Sequence, residues 1–433
     1  MINFIKPLPV IRNDIYLQSK FRAINSVGSE CLPYKEEVGG SSPSSPTKKK
    51  PTQLSGFYYF SLMYKSNFLL IILIVLSACK KDELQDLDNQ NNNNSDFFSE
   101  YDTKKFDIGF TSWPYAPTIQ SVDDTYNFIA NNSDIYCEHI DNNIPWDSWI
   151  NDLPLPTEFT NDINSRKSRK IPNTKLVVSV SLLNLERNDL AFDYDGLIPN
   201  YSSMNDLHIE DAYFQHIKYI VNELNPNYLI IAIEVNELFK NTPNKWDEYK
   251  LLMLNVKTRI HQEFPSLSIS ESITLHNLYE PDVPNPQQYI NELVNYANTM
   301  DFVSISFYPY FKELKTNEEF QNAFNFLHDK ISQPIAFAET GHLSEDLIVN
   351  SYNISINGNE NEQKNYLEKL LLNAQEEDYE FIIWWTHRDY NELWETFPLE
   401  LQDLGKLWIS TGIINEDGSE KESYSSWQIV LNK

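Results

Sequence analysis

A closed (β/α)8 barrel, an α/β TIM-barrel fold, is what this sequence predicts, and three observations carry the prediction. From Phe106 onward, short β-rich runs alternate with amphipathic stretches, the pattern of repeated strand–helix units that build a parallel sheet. The fourth to eighth runs recur every 33 to 46 residues, which leaves room for one strand, one helix and two loops each. No glycine-rich phosphate loop follows any strand, and the chain holds only 11 glycines, which disfavours an open doubly wound sheet.

The eight strands are expected to start near Phe106, Asp134, Lys175, Tyr228, Leu267, Asp301, Pro334 and Glu380. Between them the spacing predicts helices. Residues 209–224 carry Tyr213, Ile217, Ile220 and Val221 on one face, and 362–376 carry Tyr366, Leu367, Leu370 and Leu371. Residues 246–264 and 317–331 read the same way. An insertion at 182–204, rich in Asn, Asp and Tyr, is expected to form a wall beside the barrel mouth.

Ahead of the barrel the composition changes. Residues 1–62 lack sustained periodicity and contain a Gly-Gly-Ser-Ser-Pro run followed by Lys48-Lys49-Lys50, so they read as an upstream extension, with translation expected to begin at Met63. Residues 63–78 have a short basic start, an apolar stretch and small residues before Cys79, the layout of a secretory signal too short to span a bilayer. Residues 79–105 read as a polar, disordered tether leading into a single domain over 106–433.

The formal net charge of −28 repels nucleic acid, so no DNA or RNA partner is expected. Nine Lys/Arg but only four Asp/Glu lie upstream of Cys79, so a chain cleaved there is more acidic still. Of three cysteines only Cys137 falls within the barrel, which excludes a disulfide or cysteine-zinc framework inside it. Aromatic residues make up 13% of the chain, a supply that suits stacking on sugar rings as well as filling a core.

Two of the apolar strands end in glutamate. The fourth runs Tyr228-Leu229-Ile230-Ile231-Ala232-Ile233 into Glu234-Val235-Asn236-Glu237, and the seventh runs Pro334-Ile335-Ala336-Phe337-Ala338 into Glu339-Thr340-Gly341. Strands four and seven lie nearly opposite in an eight-fold ring, so carboxylates at their C-terminal ends can face one another across the mouth. Two carboxyl groups about 5–5.5 Å apart are what a retaining glycosidase needs.

These segments resemble clan A glycoside hydrolases, which include families 5 and 53. Ile233-Glu234-Val235-Asn236-Glu237 is similar to their fourth strand, Asp301 through Tyr310 to the sixth, Phe337-Ala338-Glu339-Thr340-Gly341 to the seventh and Phe381-Ile382-Ile383-Trp384-Trp385 to the eighth. The segment Thr411 to Gly418 followed by Trp427 is similar to their closing stretch. The resemblance implies Glu237 as general acid/base, Glu339 as nucleophile, Asn236 as donor to the sugar 2-hydroxyl and Tyr308 as donor to Glu339. An arginine that many members place after the second strand is not evident here.

Leu76-Ser77-Ala78-Cys79 likewise resembles the bacterial lipobox, and Lys81-Asp82-Glu83 an export signal of Bacteroidetes surface lipoproteins. They imply a lipid on Cys79 and an outer-membrane location, on the cell surface or the periplasmic face.

Further candidates for substrate contact are His276, His139, Trp113, Trp384 and Trp385, with Trp146 a possible platform. Trp384 and Trp385 point to opposite sides of their strand, so only one can face the cleft. His139, His276, His342 and His387 all fall near strand ends, which raises metal hydrolysis. The first strand lacks the His-x-His such barrels use, and neither metal nor cofactor is expected. The reading is a monomeric retaining hydrolase of β-linked plant or algal glycans, endo or exo action left open. The alternative is a non-catalytic glycan-binding lipoprotein on the same scaffold.

Overall fold

The computed structural model describes residues 97–141 and 143–433. The upstream extension, the signal, Cys79 and most of the tether lie outside the described residues. The body of the fold begins earlier than the expected boundary at Phe106. Phe98 is fully buried with its ring against Tyr101, and Lys105 N–H donates to Gln375 Oε1, so 97–105 is packed rather than free tether.

The barrel strands are β1 (Asp107–Thr111), β2 (Ile135–Ile140), β3 (Lys175–Val180), β4 (Tyr228–Ile230), β5 (Ser268–Ser270), β6 (Ser272–Thr274), β7 (Val303–Phe307) and β8 (Ile335–Thr340). An antiparallel hairpin of β9 (Leu347–Val349) and β10 (Ile354–Ile356) follows, then the last barrel strand, β11 (Phe381–Trp384). The parallel ladder runs β5-β4-β3-β2-β1-β11-β8-β7-β6. Since β5 and β6 flank the single residue Glu271, the two ends of that order are one broken strand, and the ring closes through it. The eight expected strands are all present.

The break at Glu271 has a local cause. Its carboxylate, fully buried, turns toward the helices, where it accepts from Tyr296 at 2.8 Å and from Tyr249 and pairs with Lys257 at 3.1 Å. A buried carboxylate needs those partners, and the strand yields to supply them.

Side-chain alternation divides the apolar residues into two layers. Ile135, Cys137, Val177, Ile230, Phe302, Ala336, Ala338, Phe381 and Ile383 fill the barrel interior, with the small alanines on the strand between those that carry the two phenylalanines. Ile108, Phe110, Val178, Leu229, Ile305, Phe337 and Ile382 face outward onto the helices. The expected helices appear as Leu207–Leu224, Trp246–Glu263, Asn317–Lys330 and Glu360–Glu376. Thr316 and Glu319 close a reciprocal cap at the start of the third of these. Helices Ile119–Asn132, Thr157–Ser168, Pro286–Ala297 and Glu422–Leu431 add to the outer ring.

Past β11, two short helices (Asn391–Trp394 and Leu399–Gly405) and a helical turn (Lys406–Trp408) fold back over the mouth. The sequence reading did not resolve this cap.

Candidate active site

Strict alternation along β8 would send Glu339 outward, because Phe337 faces the helices and Ala336 and Ala338 face the interior. The registers on both flanks show otherwise. Ile305 pairs with Phe337 but Ser306 with Glu339, while Ile382 pairs with Phe337 and Trp384 with Thr340. One extra residue is inserted in β8 at Ala338–Glu339, a β-bulge that re-aims Glu339 into the mouth. Thr340 then returns to the outer layer, its hydroxyl donating to Phe307 O at 2.7 Å.

Glu339 Oε1 accepts from the Tyr308 hydroxyl at 2.6 Å, and Oε2 lies 3.8 Å from His139 Nδ1. Burial, and after it the negative charge of Glu234, push the Glu339 carboxyl up to about 8, against the Tyr308 hydrogen bond and the Arg187 charge.

That second carboxylate comes from the end of the fourth strand. Beyond β4 the ladder continues through Ile231 N–H to Ser270 O and Ser272 N–H to Ala232 O, and then the chain turns. Glu234 takes left-handed backbone at φ 55°, donates its N–H to Ser272 Oγ at 2.8 Å, and hands over to the helix Val235–Asn241. Its Oε1 accepts from Ser306 Oγ at 2.9 Å and its Oε2 lies 3.6 Å from Arg187 Nε. Burial raises its pKa against Arg187, and the charge of Glu237 raises it further.

Glu237 lies one helical turn further on. Its Oε1 accepts from Thr274 Oγ1 at 2.7 Å and Asn277 Nδ2 at 2.6 Å, and Lys240 Nζ is 3.9 Å from its Oε2. Glu234 thus stands electrostatically between two others, with Glu237 acting on it and Glu234 acting on Glu339. Glu234 was legible as a strand-end carboxylate. What could not be read was the turn that brings it rather than Glu237 beside Ser306 and Arg187.

Arg187 supplies the guanidinium that the sequence did not reveal after the second strand. It comes instead from the insertion after β3. Its Nη2 donates to Asp141 Oδ2 at 2.9 Å and its Nη1 to Ser181 Oγ at 3.1 Å and Asn184 O at 3.2 Å. Asp141 is held below the usual carboxylate range by Arg187, although burial alone would raise it.

Other expected contacts are placed differently. Asn236 is 0% exposed, with Nδ2 donating to Thr274 O and Oγ1 and Oδ1 accepting from Thr274 N–H at 2.9 Å. Its amide is hydrogen-bonded to Thr274 of β6 on both its nitrogen and its oxygen. Of the two adjacent tryptophans, Trp384 faces the outer layer, fully buried, and donates to Thr411 O at 2.7 Å. Trp146 is fully buried and bonded to Ala191 O, so it serves the core.

Trp385 does face the mouth, its ring 5.3 Å from that of His139 and 5.6 Å from that of Trp113. Tyr308 is buried with its hydroxyl on Glu339. His139 is pushed down to about 4, and His276 to about 3, both chiefly by burial, so both rings are neutral at pH 7. His276 packs on Phe311 at 5.5 Å, near Lys240 and Lys312. His342 bonds to Leu343 O, and His387 packs against Phe128. Among the described residues, no group of three or more His, Cys, Asp or Glu side chains is arranged to hold a metal ion.

No family model matches the chain, and no curated protein matches it in sequence. Solved structures do match in fold. A GH5_18 protein of Bifidobacterium longum subsp. longum, solved with Manb1-4GlcNAc, superposes with a TM-score of 0.53 at 13% identity, over 76% of this chain and 78% of that one. The exo-beta-1,4-mannosidase Op5Man5 of an Opitutaceae bacterium gives a TM-score of 0.53 at 11% identity, over 76% of this chain; the match spans 59% of the mannosidase. The GH53 catalytic domain of Ignisphaera aggregans gives 0.49 at 13% identity, over 77% and 93% of the two chains. At these identities the likeness is one of fold alone, a (β/α)8 barrel.

Proposed function

We propose that this chain is a retaining glycoside hydrolase that cleaves β-linked plant or algal glycans by double displacement, with Glu339 as nucleophile. The observation that carries the reading is the setting of Glu339. It is re-aimed by a bulge into the barrel mouth, takes a 2.6 Å hydrogen bond from Tyr308, and is close enough to Glu234 for one charge to shift the other. Glu339 would attack the anomeric carbon while a protonated carboxyl at the end of the fourth strand gives its proton to the leaving oxygen. The same group then takes a proton from the water that hydrolyses the glycosyl–enzyme ester. Burial and mutual repulsion favour a pair holding one proton and one charge. Because Glu339 is the carboxyl pushed up to about 8, attack by Glu339 requires that proton to pass to Glu234 before the glycosidic bond breaks.

For the acid/base, the resemblance points to Glu237 and the electrostatic contact with Glu339 points to Glu234. We assign it to Glu234, with Glu237 braced by Thr274 and Asn277 beside it. The predicted lipid on Cys79 would hold the enzyme at the outer membrane as a monomer, its acidic surface favouring neutral glycans over polyanionic ones.

The experiment begins with a panel of aryl β-glycosides and their 2-deoxy-2-fluoro analogues. The expected result is turnover, and a fluoro-sugar ester on Glu339 found by peptide mass spectrometry. Binding with neither turnover nor label would sink the hydrolase reading and leave a glycan-binding module. Azide then separates the two acids. Glu234→Gln should lose activity most on poor leaving groups and regain it with azide, giving a β-glycosyl azide. If only Glu237→Gln does so, the acid/base is Glu237.

A further inference from the structure

We infer that Lys421 is a positioning residue for the site, a buried cation that clamps the chain leaving β8 to the chain leaving β11 and so holds Glu339 in the mouth beside Glu234. Its consequence for catalysis rests on the hydrolase reading above, but the clamp itself can be tested without turnover. The need for one begins at the bulge. Ile382 pairs with Phe337 and Trp384 with Thr340, and past the inserted residue Trp385 N–H donates to Thr340 O at 2.7 Å. Beyond that bond both chains run out as loops. A bulge adds a residue to one strand only, so a β8 exit free to slide could relax it and turn Glu339 away. Burial and the charge of Glu234 both press on that carboxylate. Holding it in place therefore takes a fixed point beyond the strand ends.

Lys421 supplies that point from the closing segment. Its side chain is fully buried, and its ammonium donates to Asp389 Oδ2 at 2.7 Å, Ser344 Oγ at 2.7 Å and Gly412 O at 2.9 Å. Those three acceptors use all the donors an ammonium has. Ser344 follows Glu339 on the chain leaving β8, and Asp389 follows Trp385 on the chain leaving β11. Asp389 Oδ1 accepts in turn from Gly412 N–H at 2.9 Å, and Ser344 N–H donates to Ser410 O at 3.0 Å. At Gly412 a Cβ would stand 2.5 Å from Arg388 C and Asp389 N, so the closing segment lies directly on the β11 exit. Gln363, also buried, adds a second tie by donating to His342 O at 2.9 Å and Gly412 O at 3.0 Å.

A cation shared among the β8 exit, the β11 exit and the closing segment is directional in a way that apolar packing is not. Sliding either exit by one residue moves it about 3.3 Å, enough to break its bond and leave a buried charge short of a partner. The two exits thus form a small frame. Thr340 O and Trp385 N–H close its inner end, next to Glu339, and Lys421 closes its outer end. With both ends fixed the bulge keeps its shape, and Glu339 stays on the Tyr308 hydroxyl. With the outer end free, repulsion from Glu234 and the pull of hydration draw the carboxylate away from that position.

The test is a cycle of four full-length proteins, wild type, Lys421→Met, Glu339→Gln and the double variant, melted from about pH 4.5 to about pH 8.5. Methionine keeps an apolar stem and removes the charge. At the alkaline end Glu339→Gln is expected to raise the wild-type melting temperature by several degrees. In the Lys421→Met background that gain should shrink by at least half, because the carboxylate is no longer held against Glu234. A gain of undiminished size would make Lys421 a stability residue only and overturn the proposal, however far Lys421→Met itself lowers the melting temperature. Comparison within one background cancels the titration of Asp389, which burial pushes up to about 7 against Lys421, with Glu345 adding to the rise. If Lys421→Met does not fold, Ser344→Ala removes only the acceptor on the β8 exit and should shrink the gain in the same direction; an unchanged gain there refutes the clamp. A catalytic arm uses the 2-deoxy-2-fluoro glycoside. The rate of labelling at Glu339 should fall about 100-fold in Lys421→Met, with KM for the aryl glycoside changing less. An unchanged labelling rate also overturns the proposal. A wild-type chain that neither turns over nor labels would sink the hydrolase reading, and the melting cycle would still decide the clamp.

Discussion

Arg187 and Glu234 face each other with Nε and Oε2 3.6 Å apart, and both hold left-handed backbone, at φ 49° and 55°. Non-glycine residues in that region cost about 1 kcal/mol or more each, so the fold accepts strain at both ends of one contact. The guanidinium also grips Asp141, which ties the loop after β3 to the ends of β2 and β4.

Removing that cation has a predictable sign. Arg187 opposes the rise of Glu234 and of Glu339 and keeps Asp141 low. In Arg187→Ala the acid limb of the kcat/KM profile should move to higher pH and kcat/KM should fall about 100-fold. Breaking a buried ion pair costs about 3–5 kcal/mol, and because Asp141 is one-fifth exposed and keeps the hydrogen bond from Ser181, the loss of stability should fall at or below the lower end. Arg187→Lys restores the charge without the fork and should recover the limb position better than the rate. An unmoved limb in the alanine variant would remove Arg187 from the site's electrostatics.

Glu339 should cost the protein stability at neutral and alkaline pH. Its carboxyl titrates near 8 when folded against an ordinary 4.5, so between those values the folded state binds more protons than the unfolded one. Stability therefore falls as pH rises through that window. Glu339→Gln carries no such charge and should melt several degrees above wild type near pH 8.5, the gap closing as pH drops toward 4.5. Equal melting temperatures across the range would show that the site does not bury a charge at all.

Tyr308 is the group whose hydrogen bond lowers Glu339. In Tyr308→Phe the nucleophile's pKa rises further, so the limb that reports its ionisation moves to higher pH and the rate at neutral pH drops about 10- to 100-fold. The ring still packs among Tyr310, Phe311 and Trp408, so the melting temperature should change little. A large melting shift with an unchanged pH profile would make Tyr308 a packing residue only.

The eight strands were readable because each is a short apolar run bounded by turn residues, and their starts fall within two residues of expectation from Phe106 to Glu380. Glu339 was readable as a strand-end carboxylate, but its direction was not. Plain alternation points it at the helices, and only the ladder registers on both sides reveal the inserted residue. Arg187 was invisible for another reason. It sits in an irregular insertion with no period, and its place is fixed by contacts with Ser181, Asn184 and Asp141 that no spacing encodes. The cap was missed because its helices are short and its anchors are side-chain bonds from Tyr310 and Tyr390 to its carbonyls.

Asn236 separates the inference from resemblance from the inference from geometry. Residue similarity gives its amide to a sugar hydroxyl, a contact that strengthens in the transition state and whose loss lowers kcat with little change in melting temperature. In the structure the amide is spent on Thr274, whose hydroxyl in turn donates to Glu237. Asn236→Ala should then leave buried partners unsatisfied on β6, at about 1–3 kcal/mol for each group stranded, and read out first as a lower melting temperature. Activity would fall too, because Thr274 loses the partner that orients it toward Glu237. Since the damage is structural, it should be equal for substrates with and without a 2-hydroxyl. A loss confined to the 2-hydroxy substrates, with melting unchanged, would return the amide to the sugar.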